Sequence, residues 1–244
     1  MDPNQKPITN PYLLGQVLLI DKPLGWSSFQ VVNKIRWLIK QEYGLKKIKV
    51  GHAGTLDPLA SGLLIICTGK ETKNINVYQA QEKEYTGTIT LGATTPSYDL
   101  ETEIDQRFPT TELTPELLQK VTQQFTGEIL QKPPIYSAIK KDGKRLYELA
   151  RAGETTEIKE RQVTVTTFKL SNIKLPKVDF KIACSKGTYI RSLAHDFGTA
   201  LDNGGHLSAL RRTAIGEYRV ENAMTLEEFE ANFMNLNHCP NPES

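Results

Sequence analysis

No apolar run in this chain approaches the length of a membrane span, and its first residues, Met1-Asp2-Pro3-Asn4, carry neither the charged nor the apolar region of a secretory signal. Cysteine is scarce: there are three, an odd number without CxxC spacing, which argues against a disulfide framework. Cys67 and Cys184 sit in apolar, strand-like runs and read as buried thiols. The expected location is therefore the cytoplasm, with no membrane partner. Histidine is equally thin, and no other His or Cys follows His52 at ligand spacing, so no metal site is expected. The chain also lacks GxxxxGK[ST] spacing, which removes the phosphate-binding loop that Gly69-Lys70 would otherwise suggest. It contains no internal repeat.

What remains is an ordinary globular composition, 39% hydrophobic and 24% charged over 244 residues, enough for one large domain or two small ones. The net charge of +2 does not by itself suggest nucleic acid, but its distribution is uneven. Six basic residues and one acid lie between Lys34 and Lys49, and six basic residues and two acids between Lys132 and Arg151. Acids collect instead at Asp99 to Asp105 and from Glu217 onward. A polyanion-binding face requires such asymmetry, because phosphate contacts supply most sequence-independent affinity. A solvated helix face is the alternative, and for Lys34 to Lys49 the preferred one.

Hydrophobic periodicity organises the chain as α+β. Gln16 to Asp21 reads as a strand, followed by a helix capped by Ser27 or Ser28 and running through Glu42, with Val31, Val32, Ile35, Leu38 and Ile39 on one face. Leu63 to Thr68 reads as a buried strand, and Tyr85 to Leu91 as one with Tyr85, Gly87, Ile89 and Leu91 on a common face. Thr114-Pro115-Glu116 starts a helix reaching about Phe125. Val163 to Leu170 is a strand whose phase slips once, as at a bulge, and Val178 to Cys184 alternates cleanly. Tyr189 to Leu201 is helical, Asn203-Gly204-Gly205 breaks the chain, and Thr225 with Glu228 forms a capping box for a last helix to about Phe233. Between them, Lys132 to Gly153 mixes Lys140, Lys141, Lys144 and Arg145 with Tyr136 and Tyr147, and a short helix spans Lys144 to Ala152. Basic and aromatic residues together suit phosphate contact and base stacking, while an ordinary long connection is an equal reading.

The most informative segment is Gly51-His52-Ala53-Gly54-Thr55-Leu56-Asp57-Pro58-Leu59-Ala60-Ser61-Gly62. Pro58 biases Asp57 toward an extended backbone, and the glycines permit tight approach by another chain segment. The loop either presents one carboxylate at the mouth of a buried strand or is a surface Asx-Pro turn.

This segment, continued as Leu63-Leu64-Ile65-Ile66-Cys67-Thr68-Gly69-Lys70, resembles the catalytic motif of the pseudouridine synthases in the form used by the TruB family of bacterial tRNA pseudouridine-55 synthases. Other stretches match that family in order: Val17 to Pro23 with Gly25-Trp26-Ser27-Ser28, Lys83-Glu84-Tyr85, Lys132 to Ala138, and Cys184 to Arg191. Thr55-Leu56-Asp57 stands where sister families carry Arg-Leu-Asp. The resemblance covers about Gly15 to Phe233. It implies a pseudouridine synthase fold, a mixed and mostly antiparallel central sheet flanked by helices, with an inserted thumb loop at about 132–153. It divides the chain into an extension (1–14), a catalytic domain (15–233) and a polar tail (234–244), with no C-terminal PUA domain.

The implied reaction isomerises the T-loop uridine of tRNA, breaking its N-glycosidic bond and rejoining ribose to C5 of the same base, with no cofactor. By resemblance Asp57 is the catalytic carboxylate, acting by attack at C1′, attack at C6, or deprotonation of C2′. A buried carboxylate needs a partner, for which Arg191 is the candidate, with a phosphate contact as its alternative role. Tyr85 matches the tyrosine that stacks on the target base and also serves in removal of the C5 proton; without the motif it is a plain strand residue. Tyr189 and Leu210 complete the base pocket, His52 fills the stack vacated by the flipped uridine, and Lys22 braces the pocket wall. Lys132, Lys140, Lys141, Lys144, Arg145 and Arg211 are the RNA-binding candidates. The expected partner is the tRNA T-arm, without guide RNA, for a monomeric enzyme. Competing readings are a non-catalytic RNA-binding protein on the same scaffold and a guide-dependent synthase with PUA domain and protein partners.

Overall fold

The structure is a computed structural model that describes residues 10–137, 139–141, 143–153 and 157–236, without the side chains of residues 140, 141, 144, 145, 147, 151 and 234–236. The chain divides into two compact units, Met1–Gln81 with Arg212–Ser244, and Glu82–Arg211.

In the first unit the strand Ala60–Thr68 pairs antiparallel with Val17–Lys22, from Val17↔Cys67 to Lys22↔Gly62, and with the short strand Val50–His52, where His52 meets Ile66. Side chains alternate across a strand, so its unbroken apolar run feeds two cores. Leu64 and Ile66 pack with Ile20, Val31, Ile35 and Ile39 beneath the helix Ser28–Glu42, together with Leu226, Phe229 and Phe233. Leu63, Ile65 and Cys67 pack on the other side with Ala53, Ile215 and Val220. The helix Ser28–Glu42 buries the face its periodicity indicates, and Ser27, rather than Ser28, caps it in a reciprocal box with Gln30. The Thr225–Glu228 box also forms, and its helix runs Leu226–Leu236, a turn beyond Phe233, since no breaker precedes Pro240.

The second unit is built on Lys83–Leu91, Lys177–Cys184, Arg161–Lys174 and Gly127–Gln131, paired antiparallel in that spatial order. The first part of Gly205–Ile215 flanks Lys83–Leu91. The phase slip falls where expected, as a register shift between Val165 and Thr167, with another between Ser171 and Ile173. The helices Pro115–Thr122 and Ile190–Ala200 flank this sheet, with Phe197 edge-on to Phe168 at 5.4 Å between ring centroids. The ladders Val17–Lys22 with Ala60–Thr68 in the first unit and Lys83–Leu91, Lys177–Cys184, Arg161–Lys174 and Gly127–Gln131 in the second are antiparallel, and a parallel bridge joins Ile20 to Met224 in the first unit, so the pairing is mixed, mostly antiparallel and flanked by helices, as the sequence indicates. Cys67 and Cys184 are buried free thiols, each pushed up to about 11 chiefly by burial.

Two readings change. The short basic helix starts at Leu146, not Lys144, because Lys144 and Arg145 pair with Lys141 and Lys140 in a hairpin turned at Gly143, whose φ is 85°. The strands Gly127–Gln131 and Gly205–Ile215 are absent from the sequence reading; the latter hides its apolar pattern behind buried His206 and Arg212.

Candidate functional site

Asp57 lies in the loop joining Val50–His52 to Ala60–Thr68, and the first unit fixes that loop atom by atom. Ser28 Oγ, in the first turn of its helix, accepts from Leu56 N at 2.8 Å and donates to Leu56 O at 3.0 Å, so both polar backbone atoms of the residue before Asp57 are held by one buried hydroxyl. The Ala60 amide donates to Asp57 O at 3.1 Å, closing a turn, and Gly25 N donates to Pro58 O at 2.8 Å. Arg212 donates from Nη2 to Gly54 O at 3.1 Å, from Nη1 to Thr55 O at 3.4 Å and from Nε to Leu63 O at 2.8 Å. Two glycines make this possible. Gly54 adopts φ 106°, and a Cβ on Gly62 would stand 2.3 Å from Arg212 O. Asp57 itself is half-buried, while Pro58 and Leu59 at the turn are exposed.

The loop is electropositive underneath. Lys22 is wholly buried and donates from Nζ to Pro23 O and Trp26 O. Burial pushes its pKa down to about 8, against the pull of the Asp57 carboxylate and with help from the Arg212 charge. Burial, then Arg212, also holds the His52 imidazole below its ordinary value, opposed by a backbone hydrogen bond with Gly54. His52 Nδ1 is buried without a hydrogen-bond partner. Its environment favours the neutral ring.

The other expected site residues fall in the second unit. Tyr85 is 8% exposed on Lys83–Leu91, opposite Ile182. Tyr189 precedes the helix Ile190–Ala200; its N and O are held by the Gln131 side chain at 2.8 and 3.0 Å, and the Arg161 guanidinium lies 4.5 Å from its ring centre. Arg191, one residue into that helix and buried, reaches in three directions: Nη1 to Ser97 O at 3.3 Å, Nη2 to Tyr136 O at 2.9 Å, and Nε 3.5 Å from Asp99 Oδ2. Ser192 Oγ donates to Lys132 O at 2.8 Å. The first turn of one helix thus anchors the start of the segment read as a thumb. Leu210 and Arg211 are half-buried on Gly205–Ile215, and Lys132 is exposed. The side chains of Lys140, Lys141, Lys144 and Arg145 lie outside the described residues.

Sequence reasoning passed over Ser28, Arg212, Asp99 and Gln131 as site-building residues. Ser28 lies in the Gly25-Trp26-Ser27-Ser28 match and Arg212 directly follows Leu210 and Arg211, so position is the available signal for both; Asp99 and Gln131 offer none. Among the described residues no group of three or more His, Cys, Asp or Glu is placed to hold a metal, and no helix is long and apolar enough to cross a membrane.

Comparison with known proteins gives a consistent result. The family model described as TruB family pseudouridylate synthase (N terminal domain) matches residues 40–190, and that of the tRNA pseudouridylate synthase B C-terminal domain matches residues 191–243. A tRNA pseudouridine synthase B of Flavobacterium johnsoniae is 64% identical over 220 residues, covering 90% of this chain and 96% of that protein. One from Phocaeicola vulgatus is 54% identical over 215 residues, covering 88% and 92%. Among solved structures, a chain of a Cbf5-Nop10-Gar1 complex superposes with a TM-score of 0.70 at 29% identity; the match covers 98% of this chain and 62% of that one.

Proposed function

The chain belongs to the TruB family of pseudouridylate synthases, and from that premise we propose that it isomerises the T-loop uridine of tRNA, uridine-55, with Asp57 as the catalytic carboxylate. It is a tRNA pseudouridine synthase, an isomerase. The observation that carries the assignment of Asp57 is its loop, in which the three residues before the carboxylate are each held by a buried side chain. Catalytic groups need such fixing, because misplacement by an ångström costs orders of magnitude in rate.

The reaction breaks the bond between N1 and C1′, turns the freed uracil, forms the bond between C1′ and C5, and removes the C5 proton while N1 gains one, so the product is an isomer of the substrate. Attack at C1′, attack at C6 and removal of the C2′ proton all require an anionic carboxylate, and the buried cations of the first unit favour that form. Tyr85 stacks on the target base and serves its C5 proton, and Tyr189 and Leu210 line the base pocket. His52, kept neutral, is a flat filler for the stack that the uridine leaves. Arg191 supplies the arginine of the family's motif. No cofactor is assigned.

We place the enzyme in the cytoplasm as a monomer acting on the T-arm without guide RNA. The 64% identity to a protein named for tRNA supports tRNA as the substrate. The direct test uses the purified chain alone with C5-tritiated tRNA and with an isolated T-arm stem–loop. Tritium release from both, mapping to the loop uridine, is the expected result. No release from tRNA removes the assignment, and release from tRNA alone means that contacts outside the T-arm are essential.

The segment 132–153 is proposed to close on the RNA through Lys132, Lys140, Lys141, Lys144 and Arg145, with Arg211 contributing from its strand. Neutralising Lys140, Lys141, Lys144 and Arg145 together should weaken tRNA binding and flatten its salt dependence, by about 0.7 to 0.9 in the slope of log K against log salt for each true phosphate contact. A slope equal to the wild type's makes the segment an ordinary connection.

A further inference from the structure

We infer that Arg212 is a positioning residue for Asp57, the catalytic role of Asp57 being the reading on which this rests. Arg212 is 1% exposed, and its three recorded hydrogen bonds go to backbone carbonyls of the Asp57 loop and its exit strand: Gly54, Thr55 and Leu63. An arginine buried only to stabilise a fold is ordinarily matched by a carboxylate. Here the fork bridges the entry of a loop to the strand that leaves it, and its own backbone closes against Gly62.

The arrangement is complementary to Ser28. Arg212 holds residues 54 and 55, Ser28 holds residue 56, and the Ala60 amide holds the carbonyl of residue 57. Every peptide leading to the carboxylate therefore has a fixed partner. Arg212 also supplies a permanent positive charge beneath the loop, felt by both Lys22 and His52. Neither function needs contact with the RNA. In the doublet Arg211-Arg212 it is the second arginine that turns inward to hold the loop.

The test compares Arg212→Lys, Arg212→Met and Ser28→Ala in single-turnover assays on tRNA, with tRNA affinity and thermal unfolding measured on the same samples. Lys keeps the charge but cannot reach three carbonyls, so Arg212→Lys should lose about 100-fold in rate with tRNA affinity changed less than about threefold. Ser28→Ala, which deletes a single oxygen and keeps the helix, should lose about tenfold. Arg212→Met should in addition raise the His52 pKa, read by NMR titration of the free protein, whereas Arg212→Lys should leave it nearly in place. Wild-type turnover by folded Arg212→Lys overturns the inference. So does a rate loss fully explained by a smaller folded fraction. If Arg212→Met does not fold, Arg212→Lys and Ser28→Ala decide alone. Asp57→Asn is assayed in parallel: an active Asp57→Asn brings down the catalytic reading, while an inactive one beside a normal Arg212→Lys brings down only the positioning role.

Discussion

Asp57→Asn is expected to abolish turnover, by at least about 10⁴-fold or about 5.4 kcal/mol of transition-state stabilisation, while tRNA affinity stays within about threefold of the wild type's. The substitution is nearly isosteric and replaces an ionisable oxygen by an amide nitrogen. The hydrogen bonds from Arg212, Ser28 and the Ala60 amide go to backbone atoms of Gly54, Thr55, Leu56 and Asp57 itself, so the amide leaves these intact. A loss of rate is then a loss of chemistry and not of loop geometry. All three available routes lose equally, since an amide neither attacks carbon nor accepts the C2′ proton at neutral pH. Single-turnover kinetics with a parallel binding measurement separates the two quantities. Residual activity within about tenfold of the wild type, about 1.4 kcal/mol, assigns the chemistry to another group.

Arg191→Lys should be nearly as damaging although charge is conserved, with turnover reduced by at least about 100-fold, or about 2.7 kcal/mol. The guanidinium of Arg191 donates to Ser97 O and Tyr136 O on separate segments and faces Asp99, a spread that one ammonium on a flexible stem cannot reproduce. Lysine would leave at least one buried carbonyl without its donor, at a cost of about 1 to 3 kcal/mol, and would free the backbone at Tyr136. That segment is the proposed RNA-closing element, so the consequence reaches the substrate. The measurement is turnover against affinity on folded protein. Near-normal turnover with weakened RNA binding makes Arg191 a phosphate contact instead.

The parts of the fold that could be read from the residues are those where local pattern and burial agree. The Val31, Val32, Ile35, Leu38, Ile39 stripe and the Thr225–Glu228 box are complete within a few turns of chain, and the structure contains both. Gly205–Ile215 is different. His206 and Arg212 are buried in it, so a period-two reading finds polar residues where a core face should be. Nothing local tells Arg211 from Arg212, because the carbonyls that select one for the interior belong to residues about 150 positions earlier. Asp99 was counted among the acids of Asp99 to Asp105, as bulk negative charge. Its burial against Arg191 depends on a contact across 92 positions and has no short-range signature. Around Asp57 the motif picks out the residue proposed as the catalytic carboxylate, and long-range hydrogen bonds explain how its loop is held.

The strand Ala60–Thr68 contributes to two apolar cores at once, and the Asp57 loop runs directly into it. Elements with both faces packed are the last in their unit to open, and whatever is tethered to them inherits their low mobility. The entropy of ordering the carboxylate is therefore met once, when the chain folds, and not at each encounter with RNA. Such preorganisation leaves the binding free energy of the tRNA available for unstacking and turning its uridine. A loop hung from a one-sided edge strand would have divided that same free energy between the substrate and itself.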